Sequence, residues 1–130
     1  MNKTTTSVFA ARRKELLRKL PHNSIIIFTS NPEAVRSNDT NYKYRQSSNM
    51  IYLCGFPEPE SALMLCNIAD QPQFTLFVRP KDRAREIWTG IRVGTEGAKK
   101  EYDCNAVYTN DEFGKALAEI LPLASHTYYQ

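Results

Sequence analysis

The run Ile25-Ile26-Ile27-Phe28 constrains this chain more than any other feature. It is short, apolar without interruption and mostly β-branched. Such a run reads as a strand buried on both faces rather than a half-exposed one, which would alternate. A strand of that kind needs a sheet around it and covering layers above and below. The rest of the sequence must therefore provide helices as well as strands.

Helical spacing is present. Thr6 or Ser7 is placed to cap a helix carrying Phe9, Leu16, Leu17 and Leu20, and Pro21 ends it. After the apolar run, Ser30 to Ser48 is mostly polar and opens on Asn31-Pro32. A connection of that length in a compact domain usually belongs to a site or an interface. Met50–Cys54 reads as a second strand stopped by Gly55, and Phe56-Pro57-Glu58-Pro59 as a stiff turn. Ala62–Ile68 and Phe74–Val78 read as two further strands joined by a turn at Asp70-Gln71-Pro72. Short turns between these three segments predict an antiparallel meander. Helices are expected over 82–88 and 95–102, a short strand over 106–108, a helix capped by Asp111 and closed by Pro122, and a last strand over 127–130. The order αββββααβαβ predicts an α/β fold, with a mixed sheet covered by helices.

The chain has 130 residues, one domain's worth. Its net charge of +3 is too mild to imply nucleic acid. The basic residues of the first helix (Arg12, Arg13, Lys14, Arg18, Lys19) and the group Arg79, Lys81, Arg83, Arg85 read as a solvated helix face and a basic turn, with phosphate binding as the alternative. Cys54, Cys66 and Cys104 are odd in number, and two lie in apolar runs, so they read as buried thiols of a reducing compartment. His22 and His126 are isolated, and no cysteine pair has zinc spacing, so no metal site is expected from this chain. Met1 to Ser7 lacks the pattern of a secretory signal, and no apolar run approaches the ~20 residues of a membrane span. No membrane and no nucleic acid partner is expected, and the expected compartment is the cytoplasm. There is no P-loop or dinucleotide fingerprint, so Gly55, Gly90 and Gly94 are assigned to turns.

Three stretches carry a family resemblance. One runs from Arg36-Ser37-Asn38-Asp39 through Tyr42-Lys43-Tyr44-Arg45-Gln46-Ser47-Ser48 to Tyr52-Leu53-Cys54-Gly55-Phe56. The next is Pro57-Glu58-Pro59-Glu60-Ser61-Ala62. The third is Asp82 followed by Glu86-Ile87-Trp88-Thr89-Gly90-Ile91-Arg92-Val93-Gly94. Together they resemble the N-terminal domain of aminopeptidase P, of the creatinase/prolidase/aminopeptidase P family. Phe9-Ala10-Ala11-Arg12-Arg13 fits that family's first helix, and the likeness runs from about residue 8 to the end. Met50 and Cys54 depart from it, standing where an aromatic and a threonine are usual.

The resemblance implies a ribonuclease H-like α/β domain spanning residues 1–130. It implies a parent enzyme that removes the N-terminal residue preceding proline. Its two metal ions, usually Mn(II), would sit in a separate C-terminal catalytic domain of pita-bread fold, absent here. The present domain would be inactive alone. It would support oligomerisation and narrow substrate access, with its own catalytic domain, neighbouring subunits and proline-second peptides as partners. Trp88 would wall a neighbouring subunit's active site, or else pack in the core at a helix end. Asp39 would stand at the substrate entrance opposite an arginine of the catalytic domain, or else form a local Asx-turn. Arg36, Tyr44, Arg45 and Gln46 would tie the long loop to the sheet or to the second domain, with direct substrate contact behind. A prolidase N-terminal domain and a stand-alone binding or scaffold module are the competing readings. The abrupt, strand-like end at Gln130 reads as a domain cut from a longer protein.

Overall fold

The computed structural model describes residues 3–32, 44–82, 84, 86 and 92–130. In chain order the elements are α1 (Lys3–Arg18), β1 (Ser24–Thr29), α2 (Ser48–Leu53), β2 (Ala62–Cys66), β3 (Phe74–Val78), α3 (Gly94–Tyr102), β4 (Ala106–Thr109), α4 (Phe113–Ile120) and β5 (His126–Tyr129). Short 3-10 turns flank α4 on both sides.

The strands form one mixed sheet in the order β4-β3-β2-β1-β5. β1, β2 and β3 make an antiparallel meander, with Ile27 opposite Met64 and Leu63 opposite Leu76. β4 joins β3 in parallel and β5 joins β1 in parallel. Four strands therefore point one way, and only β2 runs against them.

Alternation sorts the apolar residues onto two faces. Phe28, Leu63, Leu65, Phe74, Leu76 and Val78 point to one face, under α1, α2 and α3. Ile25, Ile27, Ala62, Met64, Cys66 and Phe77 point to the other, under α4 alone. The α/β class with helices on both faces is thus as the sequence predicts. So is β1 as a strand buried on both faces.

Several local expectations are overturned. Met50–Cys54 is not a strand, because 48–53 is helical. Met50 and Leu53 are buried three residues apart, while Ile51 and Tyr52 face outward at 43% and 56% exposure. A strand would have buried Met50 and Tyr52 together. The N–H groups of Cys54 and Gly55 both donate to Met50 O, and Gly55 closes the helix at φ 73. The meander consequently uses β1 instead of this segment. The family-departing Met50 and Cys54 sit in and just after a helix. Thr6 and Ser7 lie inside α1, which begins at Lys3, so neither caps it. Ahead of α4, Thr109 rather than Asp111 leads the 3-10 turn, and its N–H and Oγ1 both donate to Glu112 Oε1.

Arg13 also departs from the solvated-face reading. It is buried, with its guanidinium 3.8 Å from the centre of the Phe74 ring and Nη1 donating to Leu53 O at 2.9 Å. Burial holds its pKa below the ordinary arginine value.

Candidate functional site

The four co-directed strands bring Thr29, Val78, Thr109 and Tyr129 to the same end of the sheet. A cleft of about 720 Å³ opens there, on the α4 side. In mixed sheets, ligands commonly sit outside the carboxyl ends of the strands. Ala62, Phe77 and Phe113 form its apolar wall, and Arg79 and Arg92 its cationic floor. Glu60, Asp82, Asn110 and Tyr129 stand around it.

A polar network holds this end together, and Glu58 is its hub. The proline on either side of Glu58 restricts the backbone and aims the side chain. Oε1 pairs with Arg79 Nη2 at 3.1 Å, and Oε2 accepts from Val93 N at 3.0 Å. Glu58 O accepts from Gln46 Nε2 at 2.9 Å and from Ser61 Oγ at 2.8 Å. Gln46 is buried and also donates to Phe56 O, while its Oε1 accepts from Ser47 N. Glu60 holds φ 53, a left-handed conformation that costs about 1–2 kcal/mol outside glycine. Asn110 Nδ2 fixes it by donating to Glu60 O at 2.9 Å.

Two segments leave from and return to this rim. The first runs from Pro32 to Tyr44, and its ends are pinned together. Tyr44 Oη lies 2.7 Å from Asn31 O, and Asn31 Nδ2 donates to Arg45 O at 3.3 Å. The second runs from Asp82 to Arg92. Glu86 Oε1 accepts from Arg92 N at 2.5 Å and from Lys81 Nζ at 3.1 Å. The Arg92 N–H, with Lys81 adding to it, holds the Glu86 carboxyl below the usual carboxylate range. Gly94, at φ 70, lets the chain turn into α3. A Cβ there would meet Lys81 Cγ at 2.7 Å.

Tyr44 and Gln46 tie the chain entering α2 to Asn31 and to the turn ahead of β2. Arg45 is exposed and contributes its backbone carbonyl. Arg36, Asp39 and Trp88 lie outside the described residues. Glu58, Arg79 and Arg92 were not singled out as site residues from the sequence. Arg79 was assigned to a solvated basic turn, yet it is buried and paired. The one available signal was a glutamate locked between two prolines, within reach of a later arginine run. Among the described residues, no group of three or more His, Cys, Asp or Glu side chains could hold a metal ion, and no helix is long and apolar enough to cross a membrane.

A mixed five-stranded sheet with helices on both faces defines an α/β domain. Residues 9–129 match the aminopeptidase P N-terminal domain, and the chain belongs to that family. The Xaa-Pro aminopeptidase of Haemophilus influenzae is 34% identical over 129 residues, which covers 99% of this chain and 30% of the relative. The solved structure of Pseudomonas aeruginosa aminopeptidase PepP is 34% identical with a TM-score of 0.89, covering 95% of this chain and 28% of that one. Escherichia coli aminopeptidase P with the inhibitor Pro-Leu aligns at a TM-score of 0.87 and 30% identity, over 95% of this chain and 28% of that one. The chain therefore spans less than a third of the length of these relatives.

Proposed function

We propose that this chain is the non-catalytic N-terminal domain of a proline-specific metalloaminopeptidase, and that its loop-bearing end walls the substrate entrance. The parent enzyme removes the N-terminal residue preceding proline. Its dinuclear centre, of Mn(II) or a similar divalent ion, belongs to a C-terminal catalytic domain. That centre supplies a metal-activated water and a polarised scissile carbonyl. The residues of this chain position and exclude; they transfer no proton to the substrate. They also furnish contacts to the catalytic domain and to neighbouring subunits in an oligomer.

The observation that carries this reading is the shared rim. The segments that carry Arg36 and Asp39, and Trp88, begin just after β1 and β3, and their described far ends, Tyr44 to Gln46 and Arg92 to Val93, are bonded at the same end of the domain. The Glu58 network braces the bases of both. The free, buried cysteines of the described structure fit a reducing, cytoplasmic setting.

The test uses the full-length enzyme. Trp88→Ala should lower kcat/KM for a proline-second peptide, with metal content and melting temperature unchanged. Asp39→Asn should raise KM. Peptide kinetics unchanged in both variants would refute the entrance role. Faster cleavage of an X-Pro dipeptide than of longer X-Pro peptides would refute the aminopeptidase assignment in favour of a prolidase.

A further inference from the structure

We propose that the cleft at the strand ends binds a carboxylate group, with Arg92 as its anchor. The argument is one of unmet donors. A guanidinium presents five N–H donors and is always charged. Arg79 and Arg92 are 7% and 5% exposed. Among the described residues, the Arg92 guanidinium makes one hydrogen bond, from Nη1 to Pro80 O at 3.1 Å, and has no ion-pair partner. Arg79 makes one, from Nη2 to Glu58. The Nε atoms of both are buried without an acceptor. Buried polar groups are ordinarily satisfied, and an uncompensated buried cation is costly.

The surrounding acids do not supply the missing acceptor. Glu58 is committed to Arg79 and Val93 N. Glu86 hydrogen-bonds Arg92 N and Lys81 Nζ; the Arg92 guanidinium charge also acts on it, but makes no hydrogen bond or ion pair with it. Asp82 lines the cleft but is itself partnered, and Glu60 stands exposed on the rim. Among the described residues, only Glu58 of these acids makes an ion pair with a floor guanidinium, that of Arg79. The guanidinium fork matches a carboxylate in two parallel bonds. Phe77, Phe113 and Ala62 offer the ligand's hydrocarbon part an apolar wall, which an inorganic anion would not use. Because both Nε atoms are shielded, the floor must shift slightly as the carboxylate enters. The site follows from the cleft alone and stands apart from the peptidase reading.

Nitrogen-15 spectra of this chain resolve arginine Nε–H signals and provide the test. Sodium acetate should shift the Arg92 Nε–H signal saturably, with a Kd on the order of millimolar, as suits so small a ligand. Acetamide, and sodium chloride at equal ionic strength, should leave it unmoved. Arg92→Lys should weaken acetate binding at least about tenfold, since a point charge replaces the fork. Glu60→Gln, at the exposed rim, keeps the test open if the arginine variant fails to fold: acetate should then bind more tightly. An acetylated Ala-Pro acid and an acetylated Glu-Pro amide separate an α-carboxylate source from a side-chain source, and saturable binding of either supports the site. No saturable shift with acetate, or the same shift with acetamide or chloride, overturns it.

Discussion

The two faces of the sheet are built from the same strands yet end differently. On the face under α1, α2 and α3, the centre is closed: Met50, Phe56, Leu63, Leu65 and Leu76 are all 0% exposed, while Tyr128 on the edge strand is 38% exposed. On the face under α4, the centre is equally closed, with Ile25 at 0% and Phe77 at 1%. Its margins are the more open of the two, with Tyr108 38% exposed and Tyr129 67%. The cleft with its two arginines lies on that second side. The face under three helices holds the larger buried cluster, and the face under α4 leaves the strand ends open to form a site.

The sharpest way to break this comparison is a pair of truncations. Phe56 is completely buried and meets Tyr102 edge to face, with ring centroids 5.1 Å apart. Phe56→Ala should cost about 3–5 kcal/mol in denaturant unfolding. Phe113 meets Phe77 in a similar edge contact at 4.9 Å but is half-buried at the cleft wall. Phe113→Ala should cost about 1–2 kcal/mol, since it loses less buried area and leaves a space that opens to water. Equal losses would mean that α4 matters to stability as much as the three-helix layer does.

The Glu58 network sits between the two regimes. The Glu58 and Arg79 side chains are 16% and 9% exposed, so deleting the carboxylate leaves a second unpaired cation in the cleft floor. Glu58→Ala should cost about 3 kcal/mol. Adding Arg79→Met should recover most of that loss, because the buried cation is then gone. A double variant no better than the single would show that Glu58 acts mainly through Val93 N and the chain entering α3.

Much of the fold was legible because β2 and the centre of β1 are apolar without break, and such runs have few other solutions. α2 was not. Ile51 and Tyr52 have strand-forming side chains, and only packing of Met50 and Leu53 against the core makes the segment a helix. The parallel partners of β1 and β3 were equally hidden, since β5 pairs with β1 across about a hundred intervening residues. At the site, the long polar loop stands out in the sequence by its length and its tyrosines. The buried arginines gave no such signal. Basic residues are usually solvated, and neither composition nor spacing says that Glu58 and the strand ends will enclose Arg79 and Arg92.

The thiols give the smallest but finest measure of the difference between the faces. Cys54 and Cys104 lie in the three-helix side, and Cys66 under α4. All are buried. Burial pushes Cys54 up to about 11 and Cys104 up to about 12, and raises Cys66 as well. Thiols raised in this way favour the fold while neutral. Their contribution is complete below an unfolded value near 9 and is lost as pH rises through about 11 and above. Unfolding should therefore need less denaturant at pH 10 than at pH 8, a shift that Cys54→Ser and Cys104→Ser should blunt. At pH 8, alkylation of the native chain should be slow at all three sites, since the reactive thiolate forms only on opening. If α4 lifts more readily than the three-helix layer, Cys66 should be modified at least about tenfold faster than the other two, a difference of about 1.4 kcal/mol in local opening. Mass spectrometry of partly alkylated chains reads that order directly. Modification of Cys54 or Cys104 before Cys66 would reverse the ranking of the faces, and α4 would then have to be counted the more firmly held of the two layers.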